Sequence, residues 1–274
     1  MITLYFEDGS VAFDNDRFPD GTQRLNLGFP IDKIFWRYEN DAELFTIMAI
    51  KRHIDNIYPD DPVDLVMPYI PNARMDRVEN SQNVFTLKYF VEFINNLKFR
   101  YIYVLDAHST VSLGLLDRVR QLDVNYYIRT AITTCIEKDP GLILFYPDSG
   151  AMKRYSKHFS NRLFAYGEKI RDWDTGQITG LQVINADLVE GHDVLIIDDI
   201  SSRGGTFYHS ANALKEVGAK NISLYVTHAE HTMVEGPMYN EDVITKIFTT
   251  DSIFQAQWDT RNKVTVLEVD EHAW

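Results

Sequence analysis

The chain has 274 residues, enough for one large domain or two of ordinary size, and 45% of them are apolar or aromatic, ample for a packed core. Its formal net charge of −13, from 27 basic and 40 acidic residues, argues against nucleic acid as a partner, because binding a phosphate backbone needs clustered Lys and Arg. Small phosphorylated ligands stay open, since they need only a few local cations and backbone N–H groups. Cys135 is the single cysteine, so no intramolecular disulfide forms and no Cys/His set has zinc spacing. The opening residues MITLYFEDGS do not read as a secretory leader. No apolar run approaches the roughly 20 residues that span a bilayer. The expectation is a cytoplasmic protein without membrane contact.

Along the chain, amphipathic and apolar segments alternate. DAELFTIMAIKRHIDNI (41–57) has helical periodicity, VDLVMPYI (63–70) reads as a buried strand, and NVFTLKYFVEFINNL (83–97) is again helical. RYIYVLDAH (100–108) is the next strand. IEKDPG (136–141) is a charged turn and the best candidate boundary, giving domains of 1–139 and 140–274. Beyond it GLILFYPDS (141–149), DVLIIDDI (193–200) and NISLYVTHA (221–229) read as strands, and GTFYHSANALKEVGA (205–219) as a helix stopped by Gly218. Near-continuous apolar strands between helices imply α/β architecture, with mainly parallel sheets covered on both faces. KVTVLEV (263–269) is a late strand, expected to return to the first domain.

The strand ends share a habit. Arg74 and Asp76, Asp106 and His108, Asp148, Asp198 and Asp199, and His228 all lie at or just past a predicted carboxyl end. That edge is where open α/β sheets bind ligands. One polar residue there is explained by a helix cap; repetition points to a site.

VLIIDDISSRGGTF (194–207) is the most specific stretch. After a strand, a small-residue loop can turn its N–H groups inward and cradle an anion, and the helix that follows adds its positive end. Ser201, Ser202 and Thr206 offer hydroxyls, Arg203 a forked cation, and Gly204 and Gly205 close backbone approach. Asp198 and Asp199 cannot touch a phosphate; ribose hydroxyls or hydrated Mg²⁺ suit them. A sugar phosphate satisfies both halves, while a strand ending in a capped turn is the plainer reading. Arg74 and Arg77, on a loop with Asp76, suit a triphosphate or stacking on a base.

VLIIDDISSRGGT resembles the phosphoribosyl diphosphate loop of type I phosphoribosyltransferases. The other motifs narrow the resemblance to the ribose-phosphate pyrophosphokinase family. These are FPDGTQRLNL (18–27), PYIPNARMDR (68–77), VLDAHS (104–109), YPDSGAMKRY (146–155), EKIRD (168–172) and ALKEVGAKNISLYVTHAEH (213–231), all in the family's order. The resemblance implies two phosphoribosyltransferase type I-like domains, each a mainly parallel sheet flanked by helices. It implies transfer of diphosphate from ATP to O1 of ribose 5-phosphate with Mg²⁺, giving 5-phosphoribosyl 1-diphosphate and AMP. It also implies a homo-oligomer, a dimer or higher, whose ATP site draws on a neighbouring subunit.

Residue by residue, the resemblance assigns Phe18, Asp20, Thr22, Arg74, Asp76 and Arg77 to ATP. His108 and Asp148 go to the metal, and Lys169 and Arg171, on a flexible arm, to catalysis. Asp198, Asp199, Ser201, Ser202, Arg203, Gly204, Gly205 and Thr206 go to ribose 5-phosphate. The chain departs from the family pattern in three places. Thr22 replaces a glutamate, VENSQN after Arg77 replaces a basic run, and Arg203 adds a cation where the loop usually has none. Two further readings are a phosphoribosyltransferase using the same product and a non-catalytic regulatory homologue. Retention of His108, Asp148, Lys169 and Arg171 favours an active enzyme.

Overall fold

The computed structural model describes residues 1–7, 9–171 and 178–269, and for 169–171, 178 and 179 the backbone only. The chain forms two compact units, Met1–Asp123 joined by the chain from Val269, and Val124–Glu268. The division therefore falls at Val124, ahead of the 139/140 turn where the sequence put it. The reason is α4 (Asn125–Ile136), whose buried face of Tyr127, Ile128, Ala131, Ile132 and Cys135 packs against strands of the second unit.

The first unit opens with β1 (Ile2–Phe6) and β2 (Gly9–Val11), then a separate hairpin of β3 (Phe13–Arg17) and β4 (Gln23–Leu27). Next come β5 (Lys33–Trp36), α1 (Glu43–Ile57), β6 (Asp64–Val66), α2 (Thr86–Asn96), β7 (Ile102–Leu105), α3 (Thr110–Leu115) and β8 (Val119–Leu122). Its six-stranded sheet runs β2-β1-β5-β6-β7-β8. β5 to β8 are parallel and β1 is antiparallel to both neighbours. α2 buries Leu87, Phe90, Val91 and Ile94, an i, i+3, i+4, i+7 stripe, and α1 buries Ile47, Ile50 and Ile54 in the same way. Both stripes join the strand residues Ile34, Leu65, Ile102 and Val104 in one core.

In the second unit α4 is followed by β9 (Ile143–Tyr146), α5 (Ser149–Tyr155), β10 (Phe164–Arg171), β11 (Ile178–Ile184) and β12 (Val194–Ser201). Then come α6 (Gly205–Glu216), β13 (Ile222–Ala229), α7 (Pro237–Asn240), β14 (Lys246–Thr250) and β15 (Val264–Leu267). The seven-stranded sheet runs β11-β10-β9-β12-β13-β14-β15, and only β11 is antiparallel to its neighbour. β15 pairs with β14 from Ile247↔Val264 to Thr250↔Leu267. KVTVLEV thus completes the second sheet, and the chain groups with the first unit only from Val269. The parallel pairing satisfies the backbone of β15 where the sequence offered no partner.

The chain leaves β9 in one direction, through α5 to β10, and returns on the other side as β12. A crevice opens between the carboxyl ends of two strands at such a switch point. Asp148 follows β9, and Asp198 and Asp199 lie in the carboxyl-terminal half of β12, so the fold itself gathers these acids.

Candidate active site

Strand alternation sorts the two adjacent aspartates. Val194 and Ile196 pack in the core with Phe207, Ala211 and Leu214 of α6. With a side-chain period of two, Asp198 continues that face and Asp199 the opposite one. On that opposite face Arg154 of α5 donates to Asp199 at 2.8 Å, where Asp199 is 5% exposed. Arg154 lies within the YPDSGAMKRY motif but was not singled out from sequence; its spacing, six residues past Asp148 on the following helix, was the available signal.

The Asp198 carboxylate accepts a hydrogen bond from the Asp199 N–H at 3.0 Å. Burial pushes its carboxyl well above the usual carboxylate range. The neighbouring Asp199 and Asp148 carboxylates push the same way, and the Arg154 guanidinium pulls back. Such a group gains most from a cation or a row of hydroxyl donors.

Asp148 is the N-cap of α5, accepting from the N–H of Gly150 at 2.9 Å and of Ala151 at 3.0 Å. Both bonds use Oδ1. One residue thereby fixes a helix start and sets a carboxylate at the switch point.

The loop between β12 and α6 is anchored residue by residue. The Ser201 carbonyl accepts from the Glu230 N–H at 2.8 Å, and the Ser202 hydroxyl lies 3.1 Å from that of Thr232. Arg203, which is exposed, pairs with Glu235 at 3.4 Å. Gly204 takes φ +73°, a left-handed conformation that favours glycine, and a β-carbon there would lie 2.8 Å from the Met238 sulfur. It is the N-cap of α6 with no side-chain cap, and the first intrahelical bond runs from the Tyr208 N–H to the Gly204 carbonyl at 2.9 Å. The N–H groups just before Tyr208 have no intrahelical acceptor by the geometry of any helix start. Gly205 and Thr206 are exposed at this positive end, the arrangement that binds a phosphate.

Lys169 and Arg171 belong to β10, paired with Leu181 and Ile178 of β11 across an irregularity after Ile170. Their side chains lie outside the described residues, as does all of Asp172.

The residues assigned to ATP are all in the first unit, on two locally built loops. Phe18, Asp20 and Thr22 form the tip between β3 and β4. Asp20 accepts from the Thr22 hydroxyl at 2.7 Å and its N–H at 3.0 Å, and these bonds hold its carboxyl below the usual range. Phe18, at the tip, is 49% exposed. Arg74, Asp76 and Arg77 follow β6; Arg77 lies 3.8 Å from Glu79, with both side chains exposed. His108 follows β7 in the first unit, so the two residues assigned to the metal come from different units. His228, also at a strand end, is buried with Nδ1 2.8 Å from the Ser252 hydroxyl, a structural contact.

A parallel sheet with acids and a helix N-terminus at its switch point is the architecture of a ligand-binding α/β protein. Residues 152–263 match the phosphoribosyl transferase domain. Over 227 residues the chain is 30% identical to "Ribose-phosphate pyrophosphokinase 2" of Archaeoglobus fulgidus, covering 81% of this chain and 77% of that one. It is 26% identical over 227 residues to the "Ribose-phosphate pyrophosphokinase" of Saccharolobus solfataricus, covering 80% and 76%. The crystal structure of phosphoribosylpyrophosphate synthetase from Mycobacterium smegmatis superposes with a TM-score of 0.74 at 18% identity, over 95% of this chain and 87% of that one, a likeness of fold. The chain belongs to the ribose-phosphate pyrophosphokinase family.

Proposed function

We propose that this protein transfers the diphosphate of ATP to O1 of ribose 5-phosphate, giving 5-phosphoribosyl 1-diphosphate and AMP. The observation that carries the reading is the gathering of Asp148, Asp198 and the loop before α6 at one switch point, in a chain of this family. The ribose O1 attacks the β-phosphorus of ATP. The bond from that phosphorus to the α–β bridging oxygen breaks, AMP leaves with that oxygen, and the O1 proton is lost to water. Catalysis of such a step is positioning and stabilisation of charge on the phosphoryl oxygens.

The residues divide the work by charge. The N–H groups of residues 202 to 206 and the Thr206 hydroxyl hold the 5-phosphate. Asp198 accepts from the ribose hydroxyls, and Asp199 acts mainly by holding Arg154 at the crevice. Arg203 pairs with Glu235, and the 5-phosphate competes for it. Lys169 and Arg171 supply cations for the transferred group. Phe18, Asp20, Thr22, Arg74, Asp76 and Arg77 receive ATP.

Among the described residues no three His, Cys, Asp or Glu side chains gather as metal ligands. Mg²⁺ is commonly held through one or two carboxylates, its own waters and substrate phosphates. His108 and Asp148 are the proposed holders, and the ion would neutralise phosphate charge when bound. Among the described residues no helix is long and apolar enough to cross a membrane. We place the protein in the cytoplasm as a homo-oligomer, a dimer or higher. Incubation with ATP, Mg²⁺ and ribose 5-phosphate tests the reaction: AMP formed in step with phosphoribosyl diphosphate is expected. Diphosphate release that needs an added base would replace this reading with a phosphoribosyltransferase. No turnover would leave a non-catalytic homologue.

A further inference from the structure

Behind the loop of residues 201–204 lies a second layer, the segment 230–241, that touches it at every residue. Glu230 holds the Ser201 carbonyl, Thr232 the Ser202 hydroxyl, and Glu235 the Arg203 guanidinium. Gly236 lies so close that a β-carbon on it would overlap the Arg203 carbonyl oxygen. Met238, fully buried, closes over Gly204, and a β-carbon on Gly204 would meet it at 2.8 Å. The position of the loop is therefore set by the position of this segment.

The far end of the segment is fixed by one buried cation. Lys263, 8% exposed, donates from Nζ to the carbonyls of Met238 at 3.3 Å, Tyr239 at 2.9 Å and Glu241 at 2.7 Å. These carbonyls belong to α7 and its C-terminal end, groups that a helix leaves without N–H donors of its own. An ammonium there satisfies them and complements the negative end of the helix. Burial pushes the Lys263 ammonium below its ordinary value; the Asp242 and Asp259 carboxylates pull back, and the Arg261 guanidinium pushes the same way as burial. A second tie reinforces the first: the Tyr239 hydroxyl donates to Asp259 at 2.7 Å, and Asp259 accepts the Lys263 N–H at 3.1 Å and the Val264 N–H at 2.9 Å.

We infer that Lys263 is a positioning residue for the sugar-phosphate loop, acting through α7, Gly236 and Met238 to hold the N–H groups of residues 202–206 in their anion-binding arrangement. The inference rests on the reading of that loop as the ribose 5-phosphate site. It goes beyond a packing role, because the effect is directed at one substrate. Lys263→Met keeps the aliphatic stem and removes the donors.

The test pairs two measurements on the full-length protein. Calorimetric titration with ribose 5-phosphate is expected to show Lys263→Met binding about tenfold more weakly, the size of losing one or two charge-assisted hydrogen bonds. ATP binding should be unchanged, and Lys263→Arg, which keeps donors, should recover part of the loss. Backbone hydrogen exchange at residues 202–206 is expected to speed up in Lys263→Met relative to the strands of the same sheet. A folded Lys263→Met with wild-type sugar-phosphate affinity and wild-type loop exchange overturns the inference, as does equal weakening toward ATP. If Lys263→Met does not fold, Gly236→Ala decides, since the added methyl must displace Arg203: weaker ribose 5-phosphate binding with ATP binding intact supports the inference, and no change sinks it. If the wild-type protein binds no ribose 5-phosphate, the reading of the site fails, and loop exchange still decides whether Lys263 holds the loop.

Discussion

Asp148 does two things that ordinary mutagenesis would confuse. Its Oδ1 caps α5, and its charge is proposed to serve the metal and substrate. Asn caps a helix about as well as Asp, whereas Ala does not. Asp148→Ala is expected to lower stability by about 1 kcal/mol in denaturant unfolding, while Asp148→Asn stays near wild type. Both should lose most activity; an Asp148→Asn enzyme with full turnover would reduce the residue to a cap. Asp198 and Asp199 pose the next question, because they are identical in type and adjacent. Asp199→Asn removes the charge that Arg154, a third exposed, pairs with at 2.8 Å and should cost about 2 kcal/mol, less than breaking a fully buried pair would. Asp198→Asn should instead raise KM for ribose 5-phosphate with little loss of stability. Steady-state kinetics and unfolding of both variants check this, and a reversal of the two phenotypes would reassign the roles. The sequence brought the two acids to the site as a pair. The period of two that separates their faces was present in VLIIDDIS but carries meaning only once α5 and α6 are placed on opposite sides of the strand.

Most strands read from sequence are the fully buried ones, although β5 and β14, buried after their first residue, were missed and the half-buried β15 was read. β6, β7 and β9 are buried at every residue, and β12 and β13 nearly so, which leaves continuous apolar runs that sequence reading finds. β3, FDNDR, and β8, VRQL, were missed because they are edge or hairpin strands whose side chains meet solvent. α7 has four residues, too short for a periodic signal, and with it the Gly236 and Met238 support of the loop was invisible from sequence. β10 and β11 came from the family motif alone, as an arm bearing Lys169 and Arg171. The proposal for this element is that it delivers cations to the transferred diphosphate. Lys169→Ala is then expected to lower kcat by about 10²-fold or more with a weaker effect on KM, as when one preorganised charge is removed from a transition state. Retained turnover would take the arm out of the mechanism.

At the scale of the whole molecule, the first unit carries every residue assigned to ATP and the second every residue assigned to ribose 5-phosphate. Binding inorganic phosphate or ADP as a separate regulator beside the ATP loop would need cations close to that loop. Here the run after Arg77 is VENSQN, without a single Lys or Arg. Glu79 stands 3.8 Å from Arg77, so an anion approaching that arginine meets a carboxylate as well. Both side chains are exposed and solvent screens the pair, which makes the effect one of missing attraction more than of strong repulsion. The expected outcome is an enzyme whose rate is nearly independent of inorganic phosphate, with ADP acting only as a competitor of ATP. Rates measured against phosphate at constant ionic strength, and ADP inhibition at several ATP concentrations, test both halves. Strong phosphate activation, or sigmoidal ADP inhibition that excess ATP fails to relieve, would show that cations elsewhere in the protein serve a regulatory site. Glu79→Lys offers the converse: it restores one positive charge beside Arg77 and should make the rate respond to phosphate where the wild-type enzyme does not.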